Sequence, residues 1–119
     1  MSNPYQDHIV RVWTLVPRSL DKDQLRSLHE CLHQLPDQAV LALDFSRVAI
    51  VSSIGLHGLL SLLREARPHH VELHVIGLSA PVHAIFELTH VDRLFHIHAD
   101  MDSWLSWRNG KNLVDMALD

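Results

Sequence analysis

The sequence predicts an α/β sandwich with a partly parallel sheet. Three observations carry this. Short apolar or alternating runs recur at 9–15, 40–45, 48–51, 71–76 and 95–98. Segments with helical spacing of leucines and capping residues separate most of them. Strands interleaved with helices of this length are the pattern of crossover connections rather than hairpins. With 119 residues, 47% hydrophobic and 20% charged, the chain is expected to form one globular domain. Its core is expected over about 8–108, and 109–119 is read as a C-terminal tail that forms one more turn or frays.

The first run, 9–15, is strand-rich: IVRVWTL. Helical spacing follows over 21–34, where Leu25, Leu28, Leu32 and Leu35 recur at three and four, and Asp21 and Asp23 suit the positive amino end. Pro36-Asp37 stops it. The run 40–45 is apolar except for Asp44, as in a strand covered on both faces, and 48–51 is a shorter β-rich run. The segment 54–66 is helical until Pro68. In 71–76, Val71, Leu73 and Val75 occupy one face and Glu72 and His74 the other. Ser79 caps a helix over 80–88 with Pro81 in its first turn. A last strand at 95–98, a helix at 101–108 and the break Asn109-Gly110 follow.

Composition narrows the function classes. A net charge of −4 is not the basic footprint of a nucleic-acid binder. The single cysteine, Cys31, forms no internal disulfide and suits a reducing compartment. Met1 to Asp7 is polar, and no run reaches membrane-spanning length, so a cytoplasmic protein without membrane insertion is expected.

The chemistry concentrates at "VSSIGLHG", residues 51–58. Three readings compete there. Ser52 or Ser53 can cap the free N–H groups of the next helix. A hydrolase nucleophile elbow needs Gly-x-Ser-x-Gly, and Val51 stands where its first glycine belongs. A switch is the third: a helix amino end accommodates a phosphate. The helix then carries a polar side, Ser53, His57, Ser61 and Arg64, with Ile54 and Gly58 beside it, and an opposite side of Leu56, Leu59, Leu60 and Leu63. Gly58 is read as the point where a partner's helix approaches.

His29-Glu30-Cys31-Leu32-His33 matches H-E-x-x-H, the zinc hydrolase pattern. The same turn must bury leucines, His29 flanks that apolar stripe, and no third ligand stands at a recognisable spacing. The match is assigned to chance in a chain with eleven histidines; no metal or cofactor and no enzymatic activity are expected. Trp104 and Trp107 are read as packing residues, with contact to a partner or a second copy in a homodimer as the alternative.

The stretches "LALDFSRVAIVSSIGLHGLLSLLREAR" and "VELHVIGLSAPVHAIFELTHVDRLFHIHAD" resemble a STAS domain, the fold of bacterial anti-sigma factor antagonists and of the soluble tails of sulfate transporters. The resemblance is close over 41–104 and loose over 9–38. It implies a four- to five-stranded mixed sheet with helices mainly on one face. It also implies an anti-sigma factor antagonist that works by partner switching: it binds a serine kinase that is also the anti-sigma factor, and a cognate phosphatase resets it. The family's Asp-Ser-Ser/Thr-Gly pattern falls on Ser52, Ser53, Ile54 and Gly55, so Ser53 holds the phosphoacceptor position, with Ser52 second. The implied partner surface is Ser52, Ser53, Ile54, His57, Gly58, Ser61 and Arg64. Two residues depart from the pattern: Ser52 replaces a negative charge, and Ile54 replaces a hydroxyl with an apolar group. The alternative implied by the resemblance is a soluble STAS accessory subunit of a membrane transporter of the lipid-transport ABC type.

Overall fold

The structure is a computed structural model that describes residues 9–15, 18–19, 22–110 and 114–115. Strand β1 (Ile9–Thr14) is followed by β2 (Arg18–Ser19), α1 (Lys22–Gln34), β3 (Val40–Asp44), β4 (Val48–Ile50) and α2 (Ser53–Ala66). The chain continues through β5 (Glu72–Ile76), α3 (Ala80–Leu88), β6 (His96–His98), α4 (Met101–Asn109) and β7 (Val114–Asp115). The main sheet has the order β6-β5-β3-β1-β7, and β2 pairs with β4 in a separate ribbon.

Every strand pairing among the described residues is parallel. The α/β sandwich is as expected, but the antiparallel part of a mixed sheet is not found there. The connections explain why. A crossover through a helix returns the chain to the same end of the sheet, so the next strand must run the same way. The tail also differs from expectation: Val114–Asp115 pairs with Ile9 and Val10 as an edge strand.

The sheet divides the core in two. On one face, α1, α2 and α3 contribute Leu25, Leu28, Leu32, Leu59, Leu62, Val82 and Phe86 to a cluster with Leu41, Leu43, Leu73 and Val75. On the other, Trp104 of α4 packs on Val10, Val40, Ala42 and Ile76. Helices thus lie mainly on one face, as the resemblance implied. Strand β3 is the middle layer of both clusters, and Val40 to Leu43 are wholly buried. Burying each leucine of α1 contributes roughly 1.5–3 kcal/mol, which fixes that helix to the sheet.

His74 is an unexpected core residue. It shares a face with Glu72, as the alternation of β5 indicated, yet it is 0% exposed because α4 covers that face. Burial pushes its pKa below the ordinary histidine value, against the opposing pull of the Glu72 carboxylate. Cys31 is buried and free, and burial raises its thiol pKa despite Arg11 nearby.

Candidate functional site

The junction of β4 and α2 is built from caps upward. Ser52 has an extended backbone (φ −78°, ψ 169°), and its Oγ accepts from the Gly55 amide at 3.1 Å. Its carbonyl accepts from Leu56 N at 2.9 Å. Ser52 is therefore the cap, and Ser53 is the first helical residue, exposed to solvent. The two serines have separate tasks: one hydroxyl closes the helix end, and the other faces outward. The first turn of α2 holds no acidic residue, so its amino end keeps its partial positive charge without an adjacent carboxylate. Replacing Ser52 with alanine is expected to cost about 0.5–2 kcal/mol, read as a lower denaturation midpoint at unchanged slope.

Two exposed apolar residues lie within three positions of Ser53 in the chain. Ile54 is 58% exposed and Ile50, at the end of β4, is 63% exposed. His57 and Arg64 are exposed and Ser61 is half-buried, so the expected polar side of α2 faces outward. Gly58 is a correction. A Cβ there would lie 2.4 Å from Leu25 Cδ1 and 3.0 Å from Leu25 Cγ. The helix that approaches Gly58 closely is α1 of the same chain, not a partner's. Ile50, and Leu88 at 80% exposure, are exposed apolar residues that sequence reasoning did not single out. No periodic signal separates an exposed isoleucine on a short strand from a buried one.

The H-E-x-x-H histidines meet a carboxylate that sequence spacing did not reveal. Glu65 of α2 contacts His29 Nδ1 and lies 3.7 Å from His33 Nε2. Glu30 points elsewhere, lining a cleft with Arg11, Cys31 and Gln34. The carboxylate of the motif is thus on a different side from its histidines' partner, and the contact joins α1 to α2. Other histidines also stand against carboxylates, among them His69 with Asp37 at 3.0 Å and His83 with Glu87 at 2.6 Å. Trp104 is buried in the core, as read from the sequence.

Against this geometry, the family model described as "Mlab, STAS domain" matches residues 18–97, well over half of the chain. The chain belongs to the STAS family. A sulfate transporter family protein from Wolinella succinogenes superposes on this STAS domain with a TM-score of 0.69 at 17% identity, over 84% of each chain. A protein from Thermotoga maritima, described as an anti-sigma factor antagonist, gives 0.64 at 16% identity, over 81% of this chain and 86% of the other. The anti-sigma factor antagonist SpoIIAA in its unphosphorylated form gives 0.60 at 13% identity, over 85% and 89%. No curated protein matches the STAS chain by sequence. Among the described residues, no helix is long and apolar enough to cross a membrane.

Proposed function

We propose that this STAS domain is a non-enzymatic interaction module of the anti-sigma factor antagonist type. It binds a serine kinase/anti-sigma factor through the amino end and outer side of α2, and phosphorylation of Ser53 releases it. One observation carries the reading. Ser52 takes the capping role, which leaves Ser53 as an exposed hydroxyl at a helix end, with exposed Ile50 and Ile54 within three positions of it in the chain. An exposed hydroxyl with exposed isoleucines near it in the chain suits a protein surface that packs against apolar groups. A phosphate there would be tolerated by the helix end and opposed by the interface. The contact residues are then Ser53, Ile54, His57, Ser61 and Arg64, and Gly58 supports the surface from within.

A second reading has its own support. The matching family model carries the Mlab description, and a sulfate transporter family protein shares the fold. Ile54 in place of a hydroxyl also favours a permanent apolar contact. On this reading, the protein is a soluble accessory subunit of a membrane transporter of the lipid-transport ABC type. Capture of partners from native lysate, with mass spectrometry of Ser52 and Ser53, separates the two. A serine kinase or phosphatase with phosphate on Ser53 is the expected result. ABC permease or ATPase subunits with unmodified serines would replace it with the second reading.

A further inference from the structure

A histidine-rich cluster occupies the other face of the sheet. The alternation of β5 and β6 puts Glu72, His74, His96 and His98 on the α4 side, and the register pairs His74 with His96. Buried His74 is held at both nitrogens: Nε2 lies 3.0 Å from Glu72 Oε1, and Nδ1 lies 2.9 Å from His98 Nε2. The His96 ring stacks on His74 with centroids 4.4 Å apart, and its Nε2 is 3.8 Å from the same Glu72 oxygen. Trp107 of α4 covers the group, 4.4 Å from the His74 ring.

One ligand atom from each of Glu72, His74 and His96 lies within 4.8 Å of the others. Around a zinc ion with bonds of about 2.0–2.1 Å, tetrahedral ligand atoms are about 3.3 Å apart. The 3.0 and 3.8 Å separations bracket that value. We propose that Glu72, His74 and His96 form a binding site for a borderline divalent cation of the zinc class, with His98 as a positioning residue. Two imidazoles and a carboxylate suit Zn²⁺ and leave a fourth position for water. With His74 Nδ1–H donating to His98 Nε2, the His74 Nε2 lone pair faces the ion. To reach the ion, the His96 ring leaves its near-parallel stack on His74, a turn that its 55% exposed side chain has room to make. The ion would tie the edge strand β6 to β5. The proposal does not rest on the partner reading, because α2 packs on the opposite face.

The test uses tag-free, full-length protein stripped with EDTA and titrated with Zn²⁺ alone. Calorimetry is expected to show a single ion per chain. With Zn²⁺ about 100-fold above its Kd, the melting temperature should rise by roughly 10 °C, and Mg²⁺ should leave it unchanged. His96→Ala, a surface change that preserves the fold, should abolish the rise. Glu72→Gln should weaken binding at least tenfold, whereas His33→Ala should retain it. Co²⁺ should give the visible bands of a tetrahedral site in the parent and not in His96→Ala. Absence of Zn²⁺ binding, or binding that survives both His96→Ala and Glu72→Gln, would overturn the proposal.

Discussion

Ser53→Asp is expected to weaken binding to the native partner by orders of magnitude while the melting temperature hardly moves. The side chain stands exposed at the start of α2 and takes no part in the cap. A carboxylate there meets the positive end of the helix, so the isolated fold accommodates it. The bound state is different. A surface closing over Ile50 and Ile54 would enclose the new anion without a partner for it. Burying that charge unpaired costs several kcal/mol, and each ~1.4 kcal/mol is a factor of ten in affinity. Phosphate, with about −1.5 to −2 charges, should act more strongly than aspartate. Ser53→Ala should hold the binding-competent state permanently. Titration calorimetry with the purified partner, beside thermal melts of both variants, checks this. Tight binding by Ser53→Asp, or kinase-transferred phosphate found on Ser52 alone, would sink the switch.

Gly58→Val should do the reverse, lowering stability with partner contacts left in place. Its Cβ would fall 2.4 and 2.8 Å from the two methyl groups of Leu25 and 3.0 Å from Cγ, so the whole leucine head must move. Leu25 is 7% exposed and packed in the larger core cluster, which leaves it little room. Overpacking of this kind costs about 1–3 kcal/mol, and for a domain of this size each kcal/mol lowers the melting temperature by roughly 4 °C. Leu25→Ala alone opens a cavity, but combined with Gly58→Val its loss should be less than the sum, since one change makes room for the other. Equal melting temperatures for the parent and Gly58→Val would show that α1 and α2 are not in close register at this point.

What was legible in the sequence followed local chemistry. The helix over 80–88 coincides with α3, whose start Ser79 and Pro81 mark. The leucine spacing of α1 and the two-sided apolar run of β3 likewise predicted what they bury. What was missed depended on residues far away in the chain. A glycine on a helix shows that something approaches closely but not what, and here it is Leu25, thirty-three positions earlier. The H-E-x-x-H spacing could not show that Glu65 would lie against both histidines. Alternation placed His74 on the polar face of its strand, but only the docking of α4 makes that face dry. The three-residue β4 and β6 are too short for their patterns to fix strand direction, and the two residues of β7 are too few to show a period. At the candidate site, the hydroxyl pair was visible; the division of labour between Ser52 and Ser53 needed coordinates.

The cladding of β3 on both faces has a consequence for how this surface can change over time. Val40 to Leu43 are sealed from water by two separate clusters, and this strand binds β1 on one side and β5 on the other. The residues that resist opening are therefore concentrated in the centre of the sheet, where amide exchange requires global unfolding. Ser53, Ile54, His57 and Arg64 contribute little to that reserve, because they project from the outer side of a helix anchored by Leu59 and Leu62. Substitutions among them can accumulate without nearing the threshold at which the domain fails to fold. On the proposed reading, partner choice can be rewritten at these outer positions while Ser52 keeps the helix cap and the middle of the sheet keeps the architecture.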